Sequence, residues 1–286
     1  MDIVSVMRAE YSASKRRWLL IILLQMLSAG LAVWMIGEED CPRLVVLGAI
    51  AMFIPPISIY LRAGAVSHYG LAERLRKVIV LKDGLGIQPS LGDLLEIESD
   101  ATILKGADPQ PLGTYYDSPV RPGIRRIFHI TQEAAFYTRK VAQLASWVCA
   151  TWCVIGVAAA VVLLLVFVQS LTCGPAPFAP NQVARIVVVL LAYFSGGLFA
   201  DLWVGYRSLM IAAERTFQAC DRLRNVRTIS QVEIYKVLGA YDSAVAAAAP
   251  LPGFIYWISR NRLNQAWARS MGRSRKQHGK PGSQGR

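Results

Sequence analysis

Long apolar segments alternate with polar ones along the chain. Four of the apolar segments, at 18–37, 44–61, 145–170 and 186–206, are close to or above eighteen residues in length. About twenty apolar residues in a helix cross the roughly 30 Å hydrocarbon core of a bilayer. The pattern therefore predicts four transmembrane helices in two hairpins, which flank a polar region at 62–144.

The polar segments carry a helical period as well. We expect a short surface helix at 1–17, continuation of the second span to Val80 with a stop at Gly84 and Gly86, and a helix at 124–140 that leads into the third span. The fourth span should continue towards Arg227. The region at 207–271 should add a helix that opens at Ser230 with a capping box and a last helix at 254–269.

Other parts of the polar region carry weaker signals. Ser90 should open a short helix that ends near Glu98, the stretch at 96–104 has a weak strand pattern, and 108–123 is a Pro- and Gly-rich loop. The tail at 272–286 has a composition typical of disorder. The predicted fold class is an all-α membrane protein, with four transmembrane helices in two hairpins and a cytoplasmic helical bundle.

The composition agrees with a membrane protein. Only 17% of the residues are charged and the mean hydropathy is +0.37, whereas soluble domains average about 25% charged residues. The formal net charge is +12. Such a charge is also typical of nucleic-acid binding, but here the basic residues follow the predicted topology and form no single basic domain.

Lys and Arg are distributed unevenly around the spans. Of the 31, four lie in the N-terminal arm, eleven between 62 and 140, fourteen from 207 onward, and one in each connector between paired spans. Because basic residues concentrate in cytoplasmic segments, both termini and the middle region are expected in the cytoplasm. The partners of the protein would be the lipid bilayer and further copies of itself, and not nucleic acid.

Each outward connector carries one cysteine, Cys41 and Cys173. In an oxidising compartment the two could form a disulfide that holds the hairpins together. The alternative is two free thiols.

Sequence signatures of catalysis are missing. The chain has no H-E-x-x-H, G-x-S-x-G, Walker A or C-x-x-C pattern, and its three histidines are scattered. We therefore predict that the protein is not an enzyme and uses no metal or cofactor.

Several residues of the spans are candidates for a pore or a gate. Asp201 is an ionisable group in the inner half of the fourth span, where charge is costly. It could line a cation path or hold a gate, or it could form a structural hydrogen bond near the interface. Gly196 and Gly197 precede it, and Asp201 lies beside a stripe of small residues, Ala192, Gly196 and Ala200, that permits close helix contact. Pro55 and Pro56 interrupt the second span and form either a hinge or a static kink.

Four basic residues near the predicted membrane surface are candidates for sensing a ligand. Arg74, Arg76, Arg125 and Arg126 could bind an anionic nucleotide. The alternative is contact with lipid headgroups or with acidic neighbours.

Three blocks of sequence resemble the bacterial SMODS-associating four-transmembrane effector family, and the layout of two plus two spans is similar too. The first block runs from Ala72-Glu73-Arg74-Leu75-Arg76 to Leu85-Gly86-Ile87-Gln88-Pro89-Ser90. The second holds Tyr115-Tyr116-Asp117-Ser118, Gly123-Ile124-Arg125-Arg126 and Gln132-Glu133-Ala134-Ala135-Phe136-Tyr137-Thr138. The third holds Tyr241-Asp242, Ala249-Pro250-Leu251-Pro252-Gly253-Phe254-Ile255-Tyr256, Arg262-Leu263 and Trp267.

The resemblance implies a role in phage defence. A nucleotidyltransferase would make a nucleotide second messenger, such as a cyclic nucleotide, and this membrane effector would then perforate or depolarise the inner membrane. Four helices enclose little space, so a pore would need several protomers. The alternative function is a non-conducting structural or partner-binding membrane subunit.

Overall fold

A computed structural model describes residues 3–37, 41–90, 92, 120–173, 186, 198–224 and 230–278. Within these residues the regular secondary structure is helical throughout. The helices are α1 (Ile3–Gly37), α2 (Cys41–Leu85), α3 (Ile124–Cys173), α4 (Leu198–Arg224), α5 (Gln231–Ala247) and α6 (Gly253–His278). The all-α prediction is confirmed for this part of the chain.

Three helices, α1, α2 and α3, are long and apolar enough to cross a membrane. They contain 35, 45 and 50 residues. At about 1.5 Å per residue, α2 and α3 are each more than twice as long as the roughly 30 Å hydrocarbon core. Most of the predicted fourth span lies outside the described residues, which include only residue 186 and its last part, from Leu198 onward.

The apolar segments of these helices present large hydrophobic side chains outward. Examples are Leu23 on α1, Phe53 and Ile59 on α2, and Val154 on α3, each more than half exposed. Contiguous apolar surface of this kind is unusual on a water-soluble monomer and is typical of a membrane-facing surface. The three apolar helices are those of a membrane protein.

The first helix corrects one prediction. Ile3–Gly37 is one uninterrupted helix, so no separate surface helix covers 1–17. The stretch from Ile3 to Trp18 contains no Gly or Pro that would break a helix. Instead Val6 and Met7 are buried in a hydrophobic cluster with Leu75 and Ile79 of α2.

The second helix runs through Pro55 and Pro56 without ending. It stops where glycines were predicted to stop it. Gly86 adopts a left-handed φ of 75° and its amide donates to the Lys82 carbonyl at 2.9 Å. The Gly123 amide then donates to the Gly84 carbonyl at 2.6 Å, which holds the start of α3 against the end of α2.

The predicted continuity of helices across the span limits is confirmed at α2, α3 and, in its described part, α4. The α3 and α4 helices pack together outside the apolar segments. Ala135 and Ala142 of α3 share a buried cluster with Leu209 and Ala213 of α4. Small residues at these positions let the two helices approach closely.

The last two helices occur where they were predicted, with two corrections. Ser230 is the N-cap of α5 but its side chain makes no capping hydrogen bond. The Ser230 backbone carbonyl accepts the Ile234 amide at 3.2 Å. The α6 helix continues to His278, so the predicted disorder from Gly272 is wrong as far as His278. This stretch is rich in Arg, Lys and Gln, which favour helix, and Pro281 comes only after it.

The predicted helix at 90–98, the strand signal at 96–104 and the loop at 108–123 lie largely or wholly outside the described residues.

Candidate functional site

A buried polar network lies outside the apolar segments, where α1, α2, α3 and α5 meet. Its centre is Arg76 on α2, whose exposed fraction is 8%. Arg76 Nε donates to Glu73 Oε2 at 2.7 Å and Arg76 Nη2 donates to Asp242 Oδ1 at 2.5 Å. Because a guanidinium stays protonated at any physiological pH, a positive charge is held here between two carboxyl groups.

The same carboxyl group joins α1 to the network. Tyr11 Oη donates to Glu73 Oε1 at 2.5 Å. Glu73 therefore accepts from a phenol on one side and from a guanidinium on the other. Removing either donor would leave a buried carboxyl oxygen without its partner, which is costly in a low-dielectric interior.

Tyr241 connects α5 and α3 beneath the guanidinium. The Arg76 guanidinium lies 5.7 Å from the centroid of the Tyr241 ring, within the range of a cation–π contact. The Tyr241 hydroxyl is 2.7 Å from Thr138 Oγ1 on α3. Burial raises the pKa of Tyr241 to about 12, so its hydroxyl is neutral at physiological pH.

A second polar layer joins α1 to α2 on the side of the network that is closer to the apolar segments. Glu10 and His68 are both buried, with Glu10 Oε2 2.5 Å from His68 Nδ1. Ser14 Oγ donates to the Ala65 carbonyl at 2.8 Å. In addition, Tyr69 Oη donates to the Val245 carbonyl of α5 at 3.0 Å.

A further ion pair between helices lies nearer the surface. Arg139 of α3 donates to Glu214 Oε2 of α4 at 2.7 Å, and the Glu214 side chain is 37% exposed. Solvent weakens such a pair, and exposed pairs contribute about 0–1 kcal/mol. The loss of stability when this pair is broken can therefore be compared with the loss when the buried network is broken.

The residues predicted to sense a ligand occupy different environments. Arg76 belongs to the buried network, whereas Arg74 and Arg125 are exposed. Arg126 is partly buried and donates to the Val120 carbonyl at 2.7 Å. Glu73 and Arg76 are buried, because Tyr11 of α1 and Asp242 of α5 contact them, so they do not lie on a solvated face of α2.

The residues predicted to form a pore or gate are only partly described. Pro55, Pro56 and Asp201 are exposed on the surface of the single chain. Gly196 and Gly197 lie outside the described residues, and so do the side chains of Cys41 and Cys173. Their predicted roles, the disulfide included, stay predictions.

Sequence reasoning missed most members of the network. No role was predicted for Glu10, Tyr11 or His68. Glu73 and Asp242 appeared only in the blocks that resemble the effector family. One signal was present: Glu10 is the single acidic residue of α1, a helix whose other charged residues are all basic. An isolated carboxyl group in such a helix is usually paired.

The described residues contain no group of His, Cys, Asp or Glu side chains that could hold a metal ion. The carboxyl group of Glu73, the Tyr11 phenol and the Arg76 guanidinium are hydrogen-bonded to one another, whereas Glu10 Oε1 is buried without a hydrogen-bond partner among the described residues. The contacts of the network join α1, α2, α3 and α5 to one another, and in this sense the network is a structural lock between helices.

No family model, no curated protein and no solved structure matches the chain.

Proposed function

We propose that the protein is a membrane effector that forms a pore or disrupts the bacterial inner membrane when a nucleotide second messenger triggers it in antiphage defence. The observation that supports this most directly is helix continuity. The α1, α2 and α3 helices each run from the buried contacts at Tyr11, Arg76 and Thr138 into an apolar segment without a break. A change in the network would therefore move the spans.

The proposal includes the predicted topology. Four spans would form two hairpins, both termini would lie in the cytoplasm, and the buried network would belong to a cytoplasmic helical bundle. The distribution of basic residues around the apolar segments supports this orientation. The resemblance of the three sequence blocks to the effector family supports a nucleotide second messenger as the trigger. It also supports perforation or depolarisation of the membrane as the outcome.

The buried network is suited to hold a resting state. Breaking a buried ion pair by removing one partner costs about 3–5 kcal/mol. A ligand needs about 5.5 kcal/mol of differential binding to move a two-state equilibrium from 1:99 to 99:1. A nucleotide trigger would have to bind the activated arrangement more tightly than the resting one by a free energy of this order.

Ligand contact would begin at basic residues on the surface. Arg74 and Arg125 are exposed, and Arg74 is two positions from Arg76 on the same helix. An anion bound at Arg74 would change the electrostatic environment of the lock. Such a site would be coupled to the network without occupying it.

A conducting path would require several protomers. Asp201 is exposed on the single chain and lies in the first turn of α4. A carboxylate at that depth is stable only when a neighbouring protomer or water solvates it. A homo-oligomer with Asp201 facing a water-filled lumen would meet this requirement.

The proposal is tested in bacteria that express the chain together with a nucleotidyltransferase that makes a cyclic nucleotide. A potential-sensitive dye should report depolarisation only when both proteins are present. Asp201→Asn should reduce the depolarisation, whereas Asp221→Asn, an exposed aspartate farther along α4, should not. Membranes that stay polarised with every cyclic nucleotide tested would contradict the effector and favour a non-conducting partner-binding subunit.

A further inference from the structure

The first turns of α6 have two distinct faces. Ile255 and Leu263 are buried in a cluster with residues of α3 and α4. On the opposite face Phe254, Trp257 and Ile258 are 56%, 77% and 64% exposed. These three positions follow the i, i+3, i+4 spacing of a single helix face. A large apolar surface therefore remains uncovered in the single chain.

This face lies at the level where the apolar segments begin. A Cβ atom built on Gly253 would lie 3.9 Å from Lys15 Cδ, and Lys15 is three residues before Trp18, where the apolar segment of α1 starts. The Tyr206 hydroxyl donates to the Pro250 carbonyl at 3.1 Å. Trp18 and Ile22 also pack against the cluster that holds Ile255.

The charge around the face is basic. The α6 helix contains no Asp or Glu, and Arg260 and Arg262 are exposed next to the aromatic residues. Arg16 of α1, also exposed, follows Lys15, whose Cδ lies close to Gly253. Exposed aromatic residues beside arginines fit the headgroup layer of a membrane with anionic lipids.

We propose that the first turns of α6 form an interfacial membrane anchor. Phe254, Trp257 and Ile258 enter the headgroup layer of the bilayer, while Arg260 and Arg262 contact anionic lipid headgroups. The occupant of this face is lipid and not a second protein.

The anchor couples the lipid surface to the rest of the chain. On its other side α6 contacts α3, where the rings of Trp267 and Phe136 have centroids 5.3 Å apart and Tyr137 Oη donates to Asn264 Oδ1 at 2.9 Å. The lipid composition at the surface would therefore affect the position of α6 on α3. This inference does not depend on whether the protein conducts ions.

The anchor can be tested by photo-crosslinking in the full-length protein. p-Benzoylphenylalanine is placed at Trp257 or, as a matched control, at Gln265, which is also exposed but farther from the apolar segments. The protein is reconstituted in vesicles of phosphatidylethanolamine and phosphatidylglycerol, irradiated and analysed by mass spectrometry. Lipid adducts should be several-fold more abundant at Trp257 than at Gln265.

A conservative variant provides a second readout. Brominated phospholipids should quench total tryptophan fluorescence less in Trp257→Phe than in the wild type. Trp267→Phe, which removes a half-buried ring, should reduce the quenching less than Trp257→Phe does. Equal lipid labelling at both positions, or crosslinking of position 257 mainly to a second protein chain, would overturn the proposal.

Discussion

Arg76 on α2 and Asp242 on α5 are 166 positions apart in the chain, and their side chains are joined by a 2.5 Å hydrogen bond in a largely buried environment. The contact ties a helix that continues into an apolar segment to one that does not. Under the proposed function, this contact would pass a change in α5 to the apolar segment of α2.

The first prediction concerns stability. Arg76→Gln should lower the free energy of unfolding by about 3–5 kcal/mol, because it leaves two buried carboxyl groups without their cation. Glu214→Gln, which removes the charge of the partly exposed partner of Arg139, should cost only about 0–1 kcal/mol. Thermal unfolding in detergent followed by circular dichroism measures both. Equal losses would mean that burial does not distinguish the two pairs.

The second prediction concerns α1. Tyr11→Phe removes only the hydroxyl that donates to Glu73 and should cost about 1.5–3 kcal/mol, the usual range for a hydrogen bond to a charged group. Hydrogen exchange should become faster in the first turns of α1 and in α2 near Glu73. Ser12→Ala, which removes an exposed bond to the Arg8 carbonyl, is the control and should leave exchange nearly unchanged. Unaltered exchange in Tyr11→Phe would show that the phenol does not hold α1.

The helices could be predicted from the sequence to a large extent. Continuity of α2 and α3 across the span limits followed from an apolar period that passes the boundary. Within α2, neither Pro55 and Pro56 nor Gly64 and Gly70 end the helix. The α1 helix was divided in error at Lys15–Arg17, because a run of basic residues was taken as the end of an element. Charge marks where a membrane begins, but it does not break a helix.

The network could not be predicted from local pattern. Glu73 and Arg76 lie off the apolar stripe of α2 that Leu71, Leu75, Val78 and Ile79 form. On a helix packed on one side, such residues would be solvated. Their burial depends on α5, which is more than 150 positions later in the chain. Arg76 was singled out for its charge, but its carboxyl partners can be recognised only once the helices are packed.

The third prediction concerns the contact between the end of α2 and the start of α3. A Cβ atom at Gly84 would lie 2.5 Å from Cγ1 of Ile127, a fully buried side chain. Gly84→Ala should therefore destabilise the fold by about 1–3 kcal/mol through overpacking. At Gly70, also within α2, nothing lies within 4 Å, so Gly70→Ala should stabilise by about 0.5–1 kcal/mol. Melting temperatures of the two variants should move in opposite directions, and a shift of the same sign would contradict the packing.

The fourth prediction concerns alkaline pH. Burial raises the pKa of Cys220 from 9.0 to about 12. Above pH 9 the unfolded chain releases the thiol proton while the folded chain keeps it, so stability falls as pH rises through this window by about 1.4 kcal/mol per pH unit. Below pH 9 this thiol adds no pH dependence.

Cys220→Ala isolates this effect from other groups that titrate at high pH, such as Tyr241. The variant should lose stability less steeply than the wild type above pH 9, while the difference between the two should be constant below it. Parallel pH profiles across the whole range would contradict a buried thiol at Cys220.

Ion leakage through reconstituted vesicles tests the central claim most directly. Asp242→Asn keeps the shape of the side chain but removes the charge that holds Arg76, and Glu214→Gln makes the same change in the half-exposed pair with Arg139. Both proteins should first be shown to be folded and inserted. Asp242→Asn vesicles should leak potassium without a trigger, while wild-type and Glu214→Gln vesicles stay tight. A folded Asp242→Asn protein as tight as the wild type would contradict control of the spans by the buried network.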